Sequence, residues 1–311
     1  VRFRGLGFAL LLLFALLPFY PLNGVQEIKR LEEFELKKVW FFVAVVLALA
    51  CIVVSGCSKS EPKAGDVKIN PKDGAEMVWV PAGEFLMGST DEDIAQLLKK
   101  NPELEAARFD DEKPQRKVYL DGYWMYKYEV TVAQYRKFCE ATNRKMPDAP
   151  SWGWKDDHPM VKVTWTDASN YAKWAGMSLP TEAQWEKAAR GTDGRIYPWG
   201  NKWEAYKCNN RESGPKQTKP VGSYTSGASP YGCMDMAGNV WEWCLDWYGK
   251  DYYKSGPSRN PTGPTDGSSR VLRGGGWNGI DGSCRAAYRS HNPYPLFWSS
   301  SYGFRLCGSG A

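Results

Sequence analysis

The sequence is poor in histidine. His158 and His291 are its only two in 311 residues, far apart and without a second donor at ligand spacing. That argues against a zinc or iron centre built on imidazoles. There is no Cys-x-x-Cys pair, so neither a zinc ribbon nor a thioredoxin-type redox motif is supported. Internal repeats, low-complexity tracts and a nucleophile elbow are also missing. Charge is not segregated: 40 Lys and Arg mix with 35 Asp and Glu for a net +5. A protein that tracks a phosphate backbone needs a basic stripe, so nucleic acid is not an expected partner.

What is abundant is aromatic. Fifteen Trp and seventeen Tyr stand in a chain that is otherwise 43% apolar and 24% charged, an ordinary globular balance. Each such side chain joins a large contact area to a polar tip, which suits both a loop-rich core and a binding surface.

Two apolar runs open the chain. The second, Val39 to Val54, follows the basic pair Lys37-Lys38 and ends in Val54-Ser55-Gly56-Cys57. Its length fits a signal h-region and is short for a membrane span. Small residues before a Cys resemble a bacterial lipobox, so Cys57 is expected to carry lipid and residues 1–56 to form a leader. A membrane helix followed by a chance Cys is the alternative. The first run, Leu6 to Leu22, is broken by Pro18 and Pro21, and residues 1–35 are read as an upstream extension from a mis-assigned start. The expected location is the bacterial outer membrane, lipid-anchored and surface-exposed.

Eight Cys are present. Setting aside Cys51 in the leader and Cys57, those at 139, 208, 233, 244, 284 and 307 remain in an exported domain where disulfides persist. Sequence does not choose among their about 15 pairings, and buried unpaired thiols are as acceptable.

Residues 57–75 read as the lipidated Cys and a solvated linker. A single domain is expected over residues 76–311. Met77–Val80 and Glu84–Met87 read as strands around the Pro81-Ala82-Gly83 turn, and Lys117–Val130 as one aromatic strand. Ile94, Leu97 and Leu98 mark a short helix after Ser89-Thr90. Thr131 and Thr181, each three residues before a Gln, open two helices as capping boxes. Thr166 is read as the cap of a third helix that ends at Gly176. After Gly191 regular periods fade, and ordered loops packed by their own aromatics are expected.

Several runs then fall in a familiar order: Met77-Val-Trp-Val-Pro-Ala-Gly-Glu-Phe-Leu-Met-Gly-Ser89, Tyr126-Lys-Tyr-Glu-Val-Thr131, Leu179-Pro-Thr-Glu-Ala-Gln-Trp185, Tyr197-Pro-Trp-Gly200, Asp235-Met-Ala-Gly-Asn-Val-Trp-Glu-Trp243, Arg270-Val-Leu-Arg-Gly-Gly-Gly-Trp277 and Gly303-Phe-Arg305. In this the chain resembles the formylglycine-generating-enzyme (sulfatase-modifying factor) superfamily. The resemblance implies an α+β fold of the C-type lectin type, with small twisted sheets, two main helices and extensive ordered loops. It also implies a possible structural calcium at Asp235, Gly238, Val240 and Glu242, whose oxygen donors suit a hard cation. The family's second calcium loop lacks its Asp between Asn209 and Val221. The family's oxidase holds copper on two cysteines after the Gly-Gly-x-Trp run. Residues 274–289 contain only Cys284. No cofactor is therefore expected to be required, and the chain is expected not to be an enzyme.

Residues 278–302 depart from the family. Their Ser, Pro and exposed-looking aromatics have the composition of combining loops. They resemble the variable regions diversified by diversity-generating retroelements, in particular those of treponemal variable lipoproteins. Most of these residue types can arise when the adenines of an Asn codon are randomised; Trp298 cannot. The expected ligand-binding residues are Gly279, Ile280, Asp281, Tyr288, Ser290, His291, Asn292, Tyr294, Leu296, Phe297, Trp298 and Ser300, with Trp277 in the core. The expected function is a surface lipoprotein that binds a macromolecular ligand. An oxidase or an accessory component of an envelope complex is the alternative.

Overall fold

The computed structural model describes residues 36–43, 61–293 and 297–310. The chain divides into two units, Val1–Glu61 and Pro62–Ala311. In the first, residues 36–43 are helical and exposed. No helix among the described residues is long and apolar enough to cross a membrane. Cys57 and most of the apolar run before it lie outside the described residues.

The second unit begins earlier than the sequence suggested. Strand β1 (Val67–Ile69) lies in the stretch read as linker and pairs antiparallel with β2 (Glu76–Val80). The turn between them is anchored by polar groups. Tyr126 and Tyr171 donate their hydroxyls to Asp73 at 2.9 and 2.6 Å, and Asn70 donates to the Ala175 carbonyl. A polar, Pro- and Gly-containing stretch mimics a linker, but here its buried Asn70 and Asp73 have partners in distant elements.

Strand β3 (Gly83–Met87) pairs with β4 (Arg116–Leu120), and β5 (Tyr123–Tyr126) returns to β2. The single strand expected over Lys117–Val130 is thus two, split at Asp121-Gly122. A Cβ on Gly122 would lie 2.4 Å from the Trp79 ring, so the chain must turn on glycine there.

Four helices have their caps on Thr. Helix α1 (Asp91–Lys100) is capped by Thr90, α2 (Val132–Ala141) by Thr131, α3 (Trp165–Trp174) by Thr164 and α4 (Glu182–Arg190) by Thr181, each as a reciprocal capping box. Thr164, not Thr166, caps α3, because its partner three residues on is Asp167, which accepts from the Thr164 N–H at 3.0 Å. The third sheet has the order β8 (Ser290–Pro293), β7 (Ser269–Arg273), β6 (Trp241–Trp247), β9 (Tyr302–Gly303), with β9 parallel to β6. Strand β10 (Cys307–Ser309) closes the first sheet on β5.

Two apolar clusters form the core. One gathers Trp185, Ala188 and Ala189 of α4 with β2–β5 and Val271. The other packs α2 on α3, where Tyr135, Phe138, Tyr171 and Phe304 meet ring to ring. Small mixed sheets, capped helices and long ordered loops make this an α+β fold of the C-type lectin kind.

Candidate functional site

The segment around residues 278–302 is held by buried arginines. Helix α4 turns Glu182 and Glu186 inward, and Arg273 on β7 bonds to both, at 2.8 and 2.7 Å. Arg289 closes a two-pronged pair on Glu182, and Arg285 does the same on Glu112. Arg305 reaches Glu242 on β6 through Nε and Nη2. All these side chains are buried. Arginine suits such positions because its planar fork meets both carboxylate oxygens. The neighbouring guanidinium groups draw the Glu182 carboxyl down despite its burial.

Between Arg273 and Arg289 the chain forms one wall of a cavity of about 330 Å³. Ile280 and Tyr288 line it together with Arg108, Phe109, Arg211 and Trp241. Tyr288 lies 5.9 Å from the rings of Phe109 and Trp241. Arg108 and Arg211 are exposed, and among the described residues neither guanidinium is paired with a carboxylate. Aromatic walls with two unpaired guanidinium groups suit a polypeptide that presents an acidic or aromatic side chain.

The expected binding residues do not all share this face. Gly279 is buried, and its carbonyl accepts the Arg211 N–H at 2.9 Å. A Cβ there would lie 2.9 Å from Gly276 O and Ser283 Oγ, so this position is a tight turn and not a variable contact. Asp281 points the other way, accepting from Asn101 at 3.1 Å. Ser290, His291 and Asn292 belong to β8, where loop had been expected; they pair with β7, and His291 stacks on Tyr248 at 3.8 Å. Phe297 and Trp298 are exposed, 46% and 51%. Phe297 lies 5.9 Å from Tyr302, and Lys162 Nζ sits 4.8 Å from the centre of the Trp298 ring. Ser300 is half-buried and accepts from the Trp277 indole, which is itself half-buried against Trp152 and not core as expected. Tyr294 and Leu296 lie outside the described residues. Trp241 joins the cavity to the Phe297 side, since its N–H bonds to the Ser301 carbonyl.

Sequence reasoning missed Arg108, Phe109, Arg211 and Trp241. Trp241 lay in a quoted motif; Arg108 and Phe109 lie in the short 3-10 helix Ala106–Glu112 and Arg211 in a loop, none with a local pattern. His158 is buried with Nδ1 2.8 Å from Thr218 Oγ1, and burial lowers its pKa.

The calcium set expected from the resemblance is not assembled. Both Glu242 oxygens are taken by Arg305, and Trp185 adds a third donor at 2.8 Å. The guanidinium supplies the positive charge a cation would bring. Asp235 instead accepts from the Gly222 N–H at 2.6 Å and faces Glu129, and burial raises its pKa to about 6. Gly238, at φ 77°, is needed because a Cβ would lie 2.2 Å from Asn209 O. Val240 is buried apolar core. Among the described residues no group of three or more His, Cys, Asp or Glu could hold a metal ion. Cys284 does meet a second thiol, Cys208, delivered by a distant loop.

Comparison with known proteins follows this geometry. The family described as "Sulfatase-modifying factor enzyme 1-like domain" matches residues 63–309. Serine/threonine-protein kinase pkn1 of Chlamydia caviae is 36% identical over 260 residues, covering 76% of this chain and 38% of the relative, so the chain spans about two fifths of that protein. Formylglycine-generating enzyme of Mus musculus is 32% identical over 292 residues, 74% of each chain. Treponema denticola variable protein 1 superposes with a TM-score of 0.60 at 22% identity, over 78% of this chain and 98% of that one, a likeness of fold. These relatives overturn the expectation that the chain is not an enzyme. That expectation rested on counting cysteines within one segment, and relatives spanning about three quarters of the chain bear enzyme names.

Proposed function

The chain belongs to the sulfatase-modifying factor enzyme 1-like family, and from that membership we propose that it recognises a partner polypeptide through the face of Arg108, Arg211, Trp241, Tyr288, Phe297 and Trp298. The observation that carries the reading is the exposure of Phe297 and Trp298 on a segment whose flanks are clamped by buried ion pairs. Stiff aromatic side chains lose little entropy on binding, and a clamped frame removes the cost of ordering the loop. In this reading lipid on Cys57 tethers the domain to a bacterial outer membrane with the face outward. The test is a displayed random-peptide library panned on the purified chain. Wild type should enrich specific sequences; F297A/W298A and R108A/R211A should lose them, with Tm changed by no more than about 2 °C. The same sequences enriched on both double variants would end the proposal. Anchoring is tested separately: C57S should move the protein from the membrane to the soluble fraction.

A second reading is a thiol-dependent oxidase that acts on the bound polypeptide. The enzyme names of the relatives and the shared buried nest of Cys208 and Cys284 favour it. Incubation with cysteine-containing peptides and a carbonyl-reactive probe would reveal aldehyde in wild type and none in C284S.

A further inference from the structure

The six cysteines Cys139, Cys208, Cys233, Cys244, Cys284 and Cys307 are all buried in the folded unit. Cys208 ends the short turn Ala205–Lys207, and Cys284 ends the turn Asp281–Cys284. Their side chains share one buried nest with Ala237, Trp199 and Trp203. The sulfurs are tightly held. A Cβ on Gly275 or Gly279 would lie 3.0 or 3.2 Å from Cys284 Sγ, and Asn210 Nδ2 donates to Cys208 Sγ at 3.3 Å.

The two segments already touch through the main chain, where Arg211 N–H meets the Gly279 carbonyl at 2.9 Å. Both also build the cavity described above: Gly279, Gly282 and Ser283 form its wall and Arg211 its rim. The loop and the turn that carry the two thiols thus both contribute to the cavity lining, while the thiols themselves are buried. We propose that Cys208 and Cys284 are an oxidisable pair, whose disulfide fastens the Cys208–Arg211 loop to the Gly279–Cys284 turn at the base of the cavity. The oxidant class is a small-molecule disulfide. The thiolate of one cysteine attacks it, giving a mixed disulfide and one released thiol. The second cysteine then displaces the other half. One Sγ–Sγ bond forms and the oxidant's S–S bond breaks; its two sulfurs take the two electrons and the two S–H protons and leave as two thiols. The Cys208 hydrogen bond and burial hold the Cys284 thiol protonated well above its ordinary range, so the exchange quickens as pH rises. The cross-link rests on the placement of the two thiols and not on what the cavity binds.

The experiment uses the full chain, kept native in oxidised glutathione, then alkylated and digested with trypsin. Peptides Cys208–Arg211 and Gly274–Arg285 should appear as one species, lighter than their sum by two hydrogens and separated by dithiothreitol. A disulfide that closes a loop of about 77 residues should raise Tm by about 5–10 °C. C208S and C284S should each abolish the linked species and the rise, whereas C139S should keep both. Recovery of the two peptides as alkylated or glutathionylated species from the folded wild-type protein would overturn the proposal. So would a linked pair with no change in Tm.

Discussion

Arg305 lays its guanidinium against Glu242, with Nε 2.6 Å from Oε2 and Nη2 2.7 Å from Oε1, and both side chains are fully buried. The remaining donors of Arg305 reach the carbonyls of Tyr126, Lys127 and Met234. One side chain thereby ties the last strands to β5 and to the loop before β6. Replacing Arg305 by Met leaves a buried carboxylate and three carbonyls uncompensated. The expected loss is about 3–5 kcal/mol in a urea titration. A loss under about 1 kcal/mol would show that this clamp does not hold the C-terminal segment.

Arg289 offers the paired contrast. Its fork on Glu182 is as buried as the first clamp, so R289M should cost a similar amount. Trp298, 51% exposed, should behave oppositely: W298S should change stability by no more than about 0.5 kcal/mol. Chemical denaturation of the two variants side by side checks whether frame and display surface are energetically separate.

Gly279 and Ile280 are adjacent in sequence and opposite in tolerance. G279A forces a Cβ against Gly276 O, Ser283 Oγ and Cys284 Sγ, within 2.9 to 3.2 Å, and should destabilise by about 1–3 kcal/mol. Ile280 is 37% exposed, and I280S should cost under about 1 kcal/mol. Thermal melts of the two variants decide it; equal stabilities would contradict the turn geometry.

Asp246 makes stability depend on pH. It is fully buried and accepts the Glu182 N–H at 2.8 Å. Burial first, and the Glu182 charge second, raise its pKa from the ordinary 3.8 to about 8. Arg289 opposes the shift, and Cys244 is close by. The folded chain therefore holds the proton that the unfolded chain gives up near pH 4. The stabilisation is complete below the unfolded value and is lost as pH rises through about 8. Tm should fall between pH 6.5 and 9, and D246N should flatten that slope. An unchanged slope in D246N would assign the dependence elsewhere.

Thr164 tests a smaller point of the fold. T164A removes the α3 cap and should cost about 1 kcal/mol, whereas T166A should cost a few tenths. The order would reverse if Thr166 were the cap.

Much of the fold was legible because its signals are local. The capping boxes at Thr131 and Thr181, the strands around Pro81-Ala82-Gly83 and the left-handed Gly176 involve groups within a few positions of each other. Where local signals misled, a tertiary partner had intervened. Asp73 and Asn70 gave a folded turn the composition of a linker, and the Trp79 ring imposed a break at Gly122. The proposed face was half visible. Phe297 and Trp298 announced themselves as aromatics without period; Arg108, Phe109 and Arg211 carried no such mark. No spacing rule shows that Glu242, expected as a calcium ligand, is already neutralised by Arg305 from far along the chain.

By itself the order of residues determined the helix starts, the run of family motifs and the lack of a histidine cluster. Only the tertiary structure decided that Cys208 and Cys284 share one buried nest, that four arginines clamp the C-terminal segment, that His291 lies in a strand and that Gly279 is buried. A cap is a hydrogen bond within one turn of backbone, so the residues that make it are written side by side. A buried ion pair or thiol contact joins positions tens to hundreds of residues apart, and its geometry exists only once the sheets and helices between them have packed.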